Sequence, residues 1–374
     1  MSSKLSQRLR ELKISKESLA RKTSLSVQRA AEIMGGAKAD VSEMRQISSG
    51  LRLPLQILSG RSLNRDSNEL GLLFRGPRDS ADEYDITVER IAIFVEACLE
   101  ILPERSGLPG WLDNFSHEKK TFPAADRLAK IARVVLDEDD IFGPIPNLAQ
   151  KMGALEGVIV TPLEHTRYEG ISLIAGNYCF VFASPRFSGR MLFTLGHEFG
   201  HIVSDHSEGG FAHFEKAGQI GSFGRASKVE SFVDAFSSCL LLPDVGLGKF
   251  LSFLSAEGLM SADGITDREI LYVARFFGVS FDVAGIRLEN LGLLPAGVTF
   301  SLSGHLRKEF GSPEKRADYL GVSPREKVLI PRISPLLSKH LIAALRNGDI
   351  SVGWASNSFG FSIGEIFAEQ AKLP

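Results

Sequence analysis

No stretch of the chain approaches the roughly 18 consecutive apolar residues that a membrane-crossing helix needs. The start, Met1 to Lys13, is too charged for the apolar part of a signal peptide. The cytoplasm is therefore the expected compartment. Cysteine is scarce: Cys98, Cys179 and Cys239 are far apart and odd in number, which argues against a disulfide framework and against a cysteine zinc cluster. Each is expected to be a small buried apolar residue. The glycines fall into no phosphate-loop spacing, so nucleotide binding is not expected. The two tryptophans, Trp111 and Trp354, stand alone and read as core.

What remains is ordinary globular material of 374 residues, 44% apolar and 24% charged, enough for two or three domains. The net charge of −2 hides an asymmetry. Twelve basic residues against five acidic ones give the chain up to Arg61 a surplus of seven positive charges, and the rest is acidic. A basic head on an acidic body suggests a nucleic-acid-binding module joined to something else.

In that head, Leu5, Leu9 and Leu12 recur at helical spacing, Ser15 offers an N-cap for a helix over Lys16 to Lys22, and Thr23-Ser24-Leu25 reads as a turn. Ser26 can cap a third helix through Val27, Ala30, Ile33 and Met34, which Gly35-Gly36 ends; Met44, Ile47, Leu51, Leu55 and Leu58 suggest two more. Residues 62 to 85 are polar and turn-rich, a linker, and Ile86 to Leu102 reads as a bridging helix. Ala125 to Leu136 is strongly amphipathic. Leu148 to Met152 forms a short helix, and strands follow at Gly157 to Val160, Ile171 to Ala175 and Tyr178 to Phe182.

The sharpest signal comes next. His197-Glu198-Phe199-Gly200-His201 lies in an apolar, helix-compatible context, and two histidines four apart on a helix can reach one metal ion. Glu198, on the adjoining face, can take a proton from water activated there. A catalytic zinc holds three protein groups and an open position, so a third ligand should come from a second helix. From Val229 to Leu242, Val229, Phe232, Val233, Phe236 and Leu240 form an apolar stripe beside a polar face of Glu230, Asp234 and Ser237. That places Glu230 as third ligand and Asp234 within reach of a ligand histidine's other nitrogen. The glycine-rich segment from Asp205 to Lys228 reads as a cleft rim or lid. Within and near it, His206 and His213, with Tyr168 upstream, are candidates to stabilise an oxyanion. Arg190 reads as a salt-bridge or loop anchor. Ile265 to Phe277, Val279 to Leu291, Pro335 to Arg346 and Ser362 to Lys372 read as helices, and no chemistry stands out after Leu294.

Two resemblances follow. The head, through Leu19-Ala20, the Thr23 to Ser26 turn, Ile33 and the Leu51 to Leu58 close, resembles the phage-repressor (Cro/CI, or XRE) DNA-binding domains. It has Lys16 where glutamine is frequent in that family. The resemblance implies a recognition helix with Gln28 and Arg29 at base edges and Lys16, Arg21 and Lys22 at phosphates. The stretch from about 124 to 295 resembles the ImmA/IrrE metallopeptidases through Arg190 to His201 and Glu230 to Pro243, with Val233-Asp234 where Ala-Asn is common. It implies His197, His201 and Glu230 as zinc ligands and Glu198 as base, and as substrate a repressor-type regulator in a stress, mobile-element or toxin setting.

The expected fold class is α+β and mostly helical: a helix-turn-helix bundle over 1–61, a linker and bridging helix over 62–123, a zincin-like domain with a small sheet over 124–295, and a helical region over 296–374. The expected function is that of a zinc-dependent site-specific endopeptidase regulating transcription, with DNA and a protein substrate as partners and a homodimer as one arrangement of the head. A reading of a different class is a transcriptional regulator or antitoxin whose zinc domain is a sensor or scaffold. In a third, the head docks the peptidase onto a related regulator.

Overall fold

The computed structural model describes residues 4–11, 14–51, 86–115, 119–136, 140–164, 166–206, 211–216, 220 and 228–372. They form an α+β, mostly helical protein that divides into two units, Met1–Arg105 with Leu337–Pro374, and Ser106–Leu336.

In the first unit, α1 (Lys4–Glu11), α2 (Lys16–Lys22), α3 (Val27–Gly35) and α4 (Val41–Leu51) enclose Leu5, Leu9, Leu19, Ala30, Ile33 and Ile47. The expected caps are present: Ser15 Oγ accepts from the Ser18 amide and Ser26 Oγ from the Arg29 amide, each at 3.1 Å. Gly36 ends α3 at φ 111°, a left-handed conformation that glycine adopts without strain. The fifth head helix around Leu55 and Leu58 and the 62–85 linker lie outside the described residues. The expected bridging helix, α5 (Ile86–Ile101), is buried along most of its length, with Phe94 edge-on to Phe359 and Phe361.

The second unit is built on a four-stranded sheet, β1 (Val158–Pro162), β2 (Tyr168–Ala175), β3 (Tyr178–Ala183) and β4 (Ala212–Lys216), in the order β1-β3-β2-β4. β1 runs parallel to β3, and β2 antiparallel to both β3 and β4. Gly176 and Asn177, both at positive φ, make the two-residue hairpin between β2 and β3. The sheet packs on α8 (Ser188–Asp205), which is buried nearly all round. Upstream of the sheet stand α6 (Phe122–Val135) and α7 (Leu148–Ala154). After β4 come α9 (Lys228–Leu241), α10 (Asp244–Ala256), α11 (Asp267–Phe277), α12 (Phe281–Asn290), α13 (Val298–Phe310) and α14 (Pro313–Tyr319). α15 (Pro335–Asn347), which starts at the boundary, α16 (Val352–Phe359) and α17 (Ile363–Lys372) belong to the first unit. No single described helix is long and apolar enough to cross a membrane.

Several elements depart from the sequence reading. β4 lies in the segment expected to be a loop rim, and α10, α13 and α16 occupy stretches where no helix or only mixed composition was seen. α10 opens on Pro243-Asp244 and holds Gly246 and Gly248, which blur a helical pattern. Trp111 and Trp354 are half-buried rather than core: the Trp111 indole donates to the Glu156 carbonyl at 2.9 Å and backs onto Phe199 of α8. The three cysteines are buried, as expected.

Two buried arginines lock the helices behind the sheet. From α6, Arg133 Nε donates to the Leu240 carbonyl (2.7 Å), Nη1 to Ile141 (2.8 Å) and Nη2 to Gly143 (2.9 Å). From α12, Arg287 Nε donates to the Leu242 carbonyl at 3.0 Å. Both hold the carbonyl end of α9, where no further helical amide is available. Replacing Arg133 with methionine strands three carbonyls at a cost of roughly 1–3 kcal/mol for each that stays buried. The Arg133→Met protein is expected to lose about 3 kcal/mol or more of unfolding free energy in urea denaturation.

Candidate functional site

The site begins with how closely two helices approach. A Cβ on Gly196 would fall 2.5 Å from Ser237 Oγ, and one on Gly200 would fall 2.9 Å from the Phe236 ring and 3.2 Å from Val233. These glycines, four apart on α8, make the bare strip on which α9 lies, and Ser237 Oγ donates across it to the Phe193 carbonyl at 2.8 Å. Any larger residue would push α9 away.

At that separation the polar face of α9 meets the histidines of α8. His197 Nε2 and His201 Nε2 lie 3.4 and 3.8 Å from the same Glu230 oxygen, and the two rings stand 5.0 Å apart at 75°. Neither Nε2 has a hydrogen-bond partner among the described residues, although both rings are fully buried. Buried ring nitrogens are rarely left unpaired, and two aimed at one carboxylate fit a cation between them.

The outward nitrogens are held. His197 Nδ1 lies 2.9 Å from Asp234, the pairing expected from the i, i+4 spacing on α9. His201 Nδ1 lies 3.4 Å from Asp205, one turn further along α8. With Nδ1 donating to a carboxylate, each ring in its neutral form presents the Nε2 lone pair to the centre. Burial opposes charge on His197, but Asp234 and Glu230 outweigh it and raise its pKa to about 10. Glu230 and Asp205 are likewise partly buried, yet the histidines around them, and for Asp205 also Lys120, hold them well below the usual carboxylate range. The cluster therefore favours positive charge at its centre.

Glu198 sits beside it, fully buried. Its Oε2 accepts from Ser172 Oγ of β2 at 2.6 Å, and its Oε1 has no partner among the described residues. Burial pushes its pKa up to about 7, against the opposing pull of His197 and Ser172. Space for the side chain comes from Gly170, two residues back on the same face of β2, where a Cβ would fall 2.2 Å from Glu198 Oε1.

The three candidates for oxyanion stabilisation go to different places. His213 of β4 stacks on His201 with centroids 4.0 Å apart, and its Nε2 lies 3.3 Å from Asp205, so it joins the groups around that carboxylate. His206 caps α8 with Nδ1 3.1 Å from the Val203 carbonyl and belongs to neither metal-competent cluster. Tyr168 opens β2, its ring packed edge-on to Phe214 and its hydroxyl accepting from Arg167 at 3.4 Å. Arg190 pairs with buried Glu169 through both its Nε and its Nη2, the latter at 2.7 Å, as the anchor it was read to be.

The structure adds residues that sequence reasoning did not name. Asp205 carried a usable signal, since it stands four residues beyond His201 on one helix. Lys120, Gly170 and Ser172 gave none, because sheet register and a distant loop bring them in. Glu215 of β4, buried, groups with His197, His201 and Glu230, all four ligand atoms lying within 4.8 Å of one another.

In the head, Lys16, Arg21, Lys22 and Gln28 are exposed on α2 and α3. Arg29 is not offered to a base edge. Its Nε and Nη2 donate to the two oxygens of Glu43 on α4 (2.6 and 3.0 Å), its Nη1 to Glu32 (2.9 Å), and its Nη2 also to the Lys38 carbonyl (3.0 Å). The guanidinium in turn holds the Glu43 carboxyl down at about 2. Arg29 is thus a clasp between α3 and α4, which corrects its expected place at the DNA bases.

Two imidazoles and an acid from the next helix, with a buried carboxylate alongside, make a group of side chains that could hold a metal ion. Residues 158–289, from β1 to the end of α12, match the family model of the IrrE N-terminal-like domain, a peptidase family. No curated protein matches the chain. Gly170→Ala is expected to displace the Glu198 carboxyl and break its hydrogen bond from Ser172, at a cost of roughly 1–3 kcal/mol of unfolding free energy in urea denaturation.

Proposed function

We propose that the chain is a zinc-dependent, site-specific endopeptidase that regulates transcription by cleaving a repressor-type regulator, with a DNA-binding head. The observation that carries the catalytic part is the pair of unpartnered Nε2 atoms converging on Glu230, each ring fixed from behind by a carboxylate. Two nitrogens and a carboxylate oxygen suit zinc. Bound zinc supplies Lewis acidity, which polarises a carbonyl and acidifies water.

The protein's own part falls to Glu198. A base works best with a pKa near the operating pH, and burial brings this carboxyl there. Ionised, it takes the proton of the attacking water and hands it to the departing amine. Ser172 holds Oε2 and leaves Oε1 for that traffic. Asp234 and Asp205 fix the imidazole tautomers and move no proton themselves.

The regulatory part rests on the head. A capped helix, a four-residue turn and a second capped helix with Gln28 at its exposed start support a helix-turn-helix reading, with Lys16, Arg21 and Lys22 available to phosphates. Arg29 ties the second of these helices to α4.

Protein termini compared by labelling and mass spectrometry in cells expressing wild type or Glu198→Gln test the enzyme: new termini confined to wild type are expected, and identical sets would overturn it. For the head, a gel shift on duplex DNA at several salt concentrations should show a steep slope. Replacing Lys16, Arg21 and Lys22 with alanine should flatten that slope by roughly 0.9 for each phosphate no longer neutralised.

A further inference from the structure

We infer that Glu215 is a fourth protein donor to the ion held by His197, His201 and Glu230, so that the resting site is closed. The inference rests on the metal-site reading above.

Position comes first. Glu215 pairs with Gly170 across β2 and β4, and His213 pairs with Ser172. Residues opposite each other in an antiparallel pair point to the same face. On β2 that face is defined by Ser172, which bonds Glu198, and by the Cβ direction of Gly170, which aims at Glu198. On β4 it carries His213 against His201 and Asp205, and Glu215 among the donors. His213 thus fixes β4 over α8. The space beside Gly170 is taken by Glu198, so Glu215, opposite on β4, lies on the same face as that carboxylate.

Charge comes second. Glu215 is 7% exposed, and its ligand oxygen lies within 4.8 Å of that of Glu230. Glu230 is partly buried, and two carboxylates at this separation repel unless positive charge lies near them. A divalent ion with two neutral imidazoles and two carboxylates is neutral overall.

Coordination comes third. Zinc sites with four protein donors are closed, and catalytic sites keep a position open. Glu215 must therefore leave before a peptide carbonyl can approach, and it stands on an edge strand bonded in the sheet to β2 alone. The enzyme is latent as folded, and Glu215 is its internal competitor for the substrate's place.

The test uses the full chain as wild type, Glu215→Gln and Glu215→Ala, with circular dichroism to verify folding. Zinc affinity is measured by chelator competition, and the cobalt-substituted proteins are titrated with acetohydroxamate, a small anion that needs an open metal position. Expected are one metal per chain in all three, a zinc dissociation constant raised tenfold or more in both variants, and a cobalt spectrum that acetohydroxamate shifts at a concentration at least tenfold lower in the variants than in wild type. Unchanged zinc affinity, or equal acetohydroxamate titrations, would overturn the role of Glu215 while leaving the three-ligand site intact. A wild-type chain that takes up no metal would instead bring down the peptidase reading with it.

Discussion

The contact on which the site depends is the one between α8 and α9 through Gly196 and Gly200. Ligand chemistry has a short reach: a glutamate side chain can meet an imidazole on a neighbouring helix only if the two backbones nearly touch. The absence of two side chains on α8 brings Val233, Phe236 and Ser237 down onto it and carries Glu230 and Asp234 with them. A cluster able to hold a metal ion is made here by what is left out of a helix as much as by what it bears.

Around that contact, charge is arranged in layers. Five carboxylates and three imidazoles lie close together and mostly buried, an arrangement that would be costly if each acid were isolated. Of the acids, Asp234 and Asp205 lie behind the rings, Glu230 lies before them, and Glu198 is drawn aside by Ser172. Lys120 pairs with Asp205, and His213 Nε2 lies 3.3 Å from the same carboxylate, which also faces His201. The unmet demand is at the centre, where a cation belongs.

Much of this was legible in the sequence. The histidine spacing on α8, the apolar stripe that turns Glu230 and Asp234 toward it, and the serine caps of α2 and α3 are local patterns in which neighbours along a helix reveal a shared face. Gly170, Ser172 and Glu215 are different, because their proximity to Glu198 and to the histidines is set by strand register between segments some 40 residues apart. β4 was hidden because a five-residue strand flanked by glycine-rich sequence resembles a loop. Arg29 misled for a physical reason: an arginine early in a recognition helix reads as a base contact, and only the fold shows that Glu43 of the next helix has claimed it. The long helices of the carboxyl-terminal part were visible, and α13 and α16 were masked by serine and glycine among their apolar residues.

The arginine clasp at the end of α9 has one more implication. Arg133 belongs to α6, which precedes residue 158, where the family match begins. The helix that brings Glu230 to the histidines is therefore anchored at its far end by a segment outside the recognisable domain, together with Arg287 from within it. Homology and mechanical integrity have different borders in this chain. The smallest piece able to keep Glu230 in place must start at least one helix earlier than the piece that can be recognised.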